Sequence, residues 1–161
     1  MNQIVLEILS LSSVQELAGD KEWIQLDQVL EQILDQYKVL AQSRSLTIDN
    51  QIPAKPVYMD PAILKLVLSN VISNAVKHSD AGGEIQLRLE EEGTHLAVEN
   101  TSQEMVETAE MPMTASRQRK EGGLGLFVVQ HLLDHEELAY QFDKTAMGLR
   151  FRMELPKAPQ E

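Results

Sequence analysis

Asn70, Asn74 and Lys77 lie four and then three residues apart, in the run Asn70-Val71-Ile72-Ser73-Asn74-Ala75-Val76-Lys77-His78-Ser79. On a helix that spacing sets two carboxamides and an ammonium along one stripe. Asparagine is a poor residue inside a helix, because its side chain competes for backbone hydrogen bonds. Two of them on one face therefore need a reason. One reason is a hard cation such as Mg²⁺, which takes neutral amide oxygens while sharing the phosphate oxygens of a nucleotide. Lys77 would add positive charge against those phosphates. A second run, Gly122-Gly123-Leu124-Gly125-Leu126, opens another apolar helix. Glycines let backbone N–H groups approach phosphates, and a helix N-terminus adds its positive dipole end. No Lys-Ser or Lys-Thr follows the last glycine, so this is not a Walker loop. Alone, the asparagine run is as compatible with an ordinary polar helix face, and the glycine run reads first as a plain turn into a core helix; the pair together points to a metal-bound nucleotide triphosphate.

These residues need a scaffold. The chain has 161 residues, 43% of them apolar and 24% charged, enough for one good core with a short appendage. Aromatics make up only 4%, so aliphatic packing must dominate. The net charge of −11 repels phosphate backbones and argues against general nucleic-acid binding. Cysteine is absent, which removes disulfides and thiolate metal sites. No apolar run approaches the ~20 residues of a membrane helix.

Residues 2–16 carry Ile4, Leu6, Ile8, Leu9, Leu11 and Val14, a helix apolar enough to want a partner. Residues 18–26 read as a linker. Asp27 is the expected cap of a helix running to about Arg44. Leu46–Ile48 and Val57–Tyr58 read as short strands. Asp60-Pro61 is a strong helix start, with the helix ending at His78 and a core stripe of Leu64, Val67, Leu68, Val71 and Ala75. Glu84–Glu91 and Thr94–Asn100 alternate as a hairpin about Glu92-Gly93. Periodicity vanishes from Thr101 to Glu121, a long polar loop that is expected to be functional. Helical spacing returns over Leu124–Glu137. Leu138–Phe142 and Leu149–Leu155 read as a final strand pair, followed by a frayed tail. The expected fold class is α+β: a two-layer α/β sandwich with helices packed on one face of a mixed sheet.

With these motifs in this order, residues 27–156 resemble the ATP-binding catalytic domain of bacterial sensor histidine kinases. That superfamily, with the Bergerat-type ATPase fold, also includes gyrase, the mismatch-repair ATPases and a heat-shock chaperone. Asn70–Ser79 is similar to the family's asparagine box and Gly122–Leu126 to its second glycine box. The resemblance implies ATP and Mg²⁺ as cofactors. It makes Asn74 the principal metal ligand with Asn70 beside it, and sets Lys77 and His78 against phosphates or ribose. Gly122, Gly123, Leu124, Gly125 and Leu126 would cradle phosphates. Residues 101–121 would be a lid from which Arg117, Arg119 or Lys120 could reach the γ-phosphate. The hydrolases of the superfamily carry a glutamate base four residues before the metal-binding asparagine. Here that position is Asn70, which favours phosphoryl transfer to a protein histidine over water attack. No catalytic base is assigned in this chain.

Two departures carry expectations of their own. The family's first glycine box begins with an aspartate that accepts a hydrogen bond from the adenine amino group. Asn100 stands there, and Ser102 and Glu104 replace the two glycines. Weak, lid-dependent ATP binding is the expectation. None of His78, His95, His131 and His135 has the acidic residue and proline that follow a phosphoacceptor histidine. Residues 1–19 read as the remnant of the second helix of a dimerisation hairpin, 20–26 as linker, and 157–161 as flexible tail. The implied partners are that phosphoacceptor hairpin and a response regulator, in a membrane-anchored homodimeric parent whose catalytic part is cytoplasmic. The chain alone should then incorporate no labelled γ-phosphate on its own histidines. Two alternatives share the fold: a degenerate kinase-like interaction module, and a sigma-factor-regulating serine kinase.

Overall fold

The computed structural model describes residues 19–103 and 125–157. Residues 1–18, over which the sequence predicts an apolar helix, lie outside them, as do 104–124 and 158–161. Strand β1 (Glu22–Gln25) leads directly into helix α1 (Leu26–Gln36), followed by α2 (Lys38–Ser43). Then come β2 (Thr47–Asn50), β3 (Pro56–Met59), the long helix α3 (Pro61–His78) and the hairpin β4 (Glu84–Glu90) and β5 (His95–Thr101). Helix α4 (Gly125–His135) and strands β6 (Tyr140–Lys144) and β7 (Gly148–Glu154) complete the described chain.

Five strands form a mixed sheet in the order β2-β4-β5-β7-β6; only β2 and β4 run parallel. Alternation sorts the sheet into two faces. Ile85, Leu87, Leu96, Val98, Phe151 and Met153 join one core with residues of α1, α3 and α4. The opposite face is closed by charge. Ala97, fully buried, sits in register between Arg88 of β4 and Arg152 of β7. Both guanidiniums reach Glu90, at 2.9 and 3.1 Å, and Arg88 also bonds Glu99 at 3.0 Å. Burial works against the Arg88 charge, but the hydrogen bonds and charges of Glu99 and Glu90 outweigh it, and its pKa is raised. The arginine stems cover the sheet where a third layer would otherwise be needed. Among the described residues no helix is long and apolar enough to cross a membrane.

Helix α3 begins and ends where its sequence says. Asp60 caps it, its Oδ1 accepting from Ala62 N–H at 2.9 Å, and Pro61 takes the first helical position. Leu64, Val67, Leu68, Val71 and Ala75 are buried as a stripe, joined by Ile63, Ile72 and Val76. The preceding region departs from expectation. Asp27 is not a cap: the cap position is Gln25, which makes no side-chain cap bond, and Asp27 Oδ1 instead accepts from Lys55 N–H at 3.2 Å. The single helix expected up to Arg44 breaks at Tyr37, where φ is −101° and ψ 5°. Within the stretch read as linker, Glu22–Gln25 is a strand, antiparallel to β3 with Trp23 opposite Tyr58. Their rings pack with centroids 5.4 Å apart. That pairing is non-local and four residues long, too short for alternation to reveal.

Candidate functional site

The C-terminal end of α3, the end of β5 and the start of α4 converge at one end of the sheet. Ser79 ends α3, its N–H donating to Ala75 O at 3.1 Å and its hydroxyl to the same carbonyl. Asp80 then stitches helix to strand: its N–H donates to Thr101 O at 3.0 Å, and its Oδ2 accepts from Gln103 N–H at 2.7 Å. Arg44 closes the corner from α2, its guanidinium donating to Ser79 O. A cation on the last carbonyls of a helix also meets the negative end of the helix dipole.

Asn70 and Asn74 stand on the flank of α3 between its buried stripe and its exposed face, both half-buried. Asn70 Nδ2 donates to Leu66 O at 2.7 Å, one turn back. That bond commits the amide nitrogen and orients the amide oxygen away from the helix. The Asn74 carboxamide makes no side-chain hydrogen bond among the described residues. Neutral amide oxygens one turn apart are ligands of the kind that a Mg²⁺ sharing phosphate oxygens takes. Among the described residues there is no cluster of three His, Asp or Glu that could hold a metal, so any metal here would lean on amide and phosphate oxygens. Lys77 is exposed and His78 half-buried in the last turn of α3.

Asn100 ends the inward face of β5. It follows Leu96 and Val98 on the helix side and is 5% exposed, with Ile85 and Leu149 opposite it in register. Its carboxamide has no hydrogen-bond partner among the described residues. Leu149 packs with Leu126, one residue into α4, and with Phe142, so the first turn of α4 reaches the strands beside Asn100. Gly125 and Leu126 are thus drawn to the same end of the sheet as Asn100 and the end of α3. Gly122, Gly123, Leu124, Arg117, Arg119, Lys120 and Glu104 lie outside the described residues.

Three residues near this site escape sequence reasoning. Arg44 and Asp80 act through backbone bonds that no spacing announces. Gly148 is the third: a Cβ there would collide with Asn100 O and Ser102 N. A glycine opening a strand is a mark of close backbone approach, and that was its available signal. A cavity of about 390 Å³ between α1, α2 and β2, lined by Leu34, Ala41, Leu46 and Ile48, contains none of the site residues.

The same two-layer fold occurs in solved histidine kinase structures. The catalytic domain of histidine kinase ThkA superposes with a TM-score of 0.71 at 19% identity, over 88% of this chain and 100% of that one. The cytoplasmic segment of histidine kinase QseC gives 0.70 at 15%, over 98% and 97%. The profile of the histidine kinase-, DNA gyrase B- and HSP90-like ATPases matches residues 59–159, and the chain belongs to that family. Among curated relatives, the sensor histidine protein kinase HK06 of Streptococcus pneumoniae is 31% identical over 96% of this chain and 37% of its own length. The sensor protein VanSB of Enterococcus faecalis is 30% identical over 94% and 36%. The chain therefore spans a little over a third of the length of these relatives.

Proposed function

We propose that this chain is the ATP-binding catalytic part of a sensor histidine kinase in two-component signalling. It delivers the γ-phosphate of ATP to a histidine on a dimerisation hairpin, from which a response regulator takes it. The observation that carries the reading is the pair of half-buried carboxamides one turn apart on α3: Asn70, with its nitrogen committed to Leu66 O, and Asn74. Mg²⁺, when bound, neutralises charge on the phosphate oxygens. The chain's own groups do the rest. Asn70 and Asn74 fix the metal's position, Lys77 and His78 line the phosphate or ribose side, and Gly122–Leu126 offers backbone N–H groups to the phosphates. Arg117, Arg119 and Lys120 supply lid cations. Catalysis of this kind rests on positioning and charge stabilisation rather than on a protein base. Asn70 in place of an acidic residue supports transfer to protein over hydrolysis. Residues 1–19 belong, in this reading, to the second helix of the hairpin, and the parent is a membrane-anchored homodimer with this part in the cytoplasm.

Calorimetric titration with ATP, with and without Mg²⁺, tests the reading. Wild-type chain should show metal-dependent binding, and Asn74→Ala should weaken the Mg²⁺-dependent part about 10- to 100-fold. Binding that is indifferent to both metal and Asn74 would remove the metal site from α3. No binding up to millimolar ATP would favour the interaction module.

A further inference from the structure

Asn100 sets a carboxamide, which carries both donor and acceptor groups, among aliphatic neighbours at the end of β5. Asn100 is 5% exposed and sits at the last inward position of β5, and its carboxamide makes no side-chain hydrogen bond to another described residue. Its neighbours across both ladders, Ile85 and Leu149, are aliphatic and buried. Leu126 and Phe142 extend the apolar wall beyond Leu149. Behind it Gly148 closes against the Asn100 and Ser102 backbone, leaving no room even for a Cβ. A polar edge facing apolar walls suits a planar heteroaromatic ring, which buries its faces and offers one hydrogen-bonding edge. Resting on the nucleotide reading above, that ring is the purine.

We infer that Asn100 makes this site tolerant of the purine's 6-substituent, so that it accepts 6-oxo purine triphosphates alongside ATP. A carboxylate at this position can only accept, which selects a 6-amino group and rejects a 6-oxo group. A carboxamide carries both an acceptor oxygen and donor N–H groups, and exchanges them by a half-turn of its terminal torsion. With its oxygen forward Asn100 accepts from the 6-amino group of adenine. With its nitrogen forward it donates to the 6-oxo group of hypoxanthine or guanine. No hydrogen bond within the described residues holds it in either orientation, and being neutral it lacks the charge-assisted preference of an aspartate.

The test is titration of the wild-type chain in Mg²⁺ with ATP, ITP and GTP, repeated on Asn100→Asp after its fold is checked by circular dichroism. Wild type should bind ATP and ITP within about threefold of each other. Asn100→Asp should raise the ATP-to-ITP preference by about tenfold or more, the cost of facing an acceptor with a charged acceptor. GTP should follow ITP unless its 2-amino group clashes, which is why ITP decides. An ATP preference beyond about thirtyfold in wild type, or a ratio unmoved by Asn100→Asp, overturns the inference. Should the variant not fold, the wild-type ratio alone decides. Failure of every triphosphate to bind wild type would overturn the underlying nucleotide reading, an outcome distinct from discrimination between bases.

Discussion

At the scale of single residues, the site depends on atoms placed by neighbours that carry no chemistry. Gly148 is the clearest case: Asn100 O and Ser102 N pass so close that any side chain must push them apart. Gly148→Ala is expected to cost about 1–3 kcal/mol in urea unfolding and to weaken nucleotide binding together with it. A variant that loses stability but binds normally would separate Gly148 from the site. Gly83 is similar, with a Cβ placed 2.9 Å from Asp80 O and Thr101 Cβ. The residues proposed here to bind nucleotide drew attention in the sequence because amides in mid-helix and clustered glycines are unusual without a ligand. Asn100 was legible only through resemblance, since one asparagine closing a strand pattern carries no spacing signal. Arg44 and Asp80 were not legible, because their roles are hydrogen bonds to and from the backbone across distant sequence.

At the scale of elements, α3 is the best-specified piece, and Asp60 shows why. Its Oδ1 caps the helix at Ala62, while Oδ2 accepts from Gly19 N–H at 2.8 Å. One carboxylate, 4% exposed, thus holds both the start of the asparagine helix and the chain arriving from residue 19. Asp60→Ala is expected to lower stability by about 1–2 kcal/mol, while Asp60→Asn, which keeps one acceptor oxygen for the cap, should retain more of it. Equal losses in the two variants, measured by urea unfolding, would mean that the charge rather than the cap matters. The Asp-Pro start, the five-residue core stripe and the hairpin at Glu92-Gly93 were all readable from local chemistry. The turn itself holds three successive positive φ values, 53°, 59° and 87° at Glu91, Glu92 and Gly93, of which only the glycine signalled itself. What sequence missed is what tertiary partners impose. The break at Tyr37 falls inside an apolar periodicity that continues through Leu40 and Ala41. Strand β1 exists because β3 is there to pair with it.

At the scale of the whole molecule, two layers suffice because the outer sheet face is closed by the arginine and glutamate side chains around Ala97. The order β2-β4-β5-β7-β6 has a temporal consequence. Strand β5 completes its pairing only when β7 arrives, with Asn100 meeting Leu149 and Thr101 meeting Gly148. Closing a loop that long precedes any reward from the contacts it makes, so this edge of the sheet should be among the last to assemble. The hairpin β4–β5 and helix α3, adjacent in the chain, can form before it. The end of the sheet proposed to bind nucleotide would then be absent from the folding transition state. In stopped-flow measurements, saturating Mg-ATP is therefore expected to slow unfolding while leaving the refolding rate nearly unchanged. Acceleration of refolding by nucleotide would place β7 in the nucleus instead. A site built late is a site whose ligand acts as a brake on departure from the native state, so occupancy by nucleotide would lengthen the lifetime of the fold.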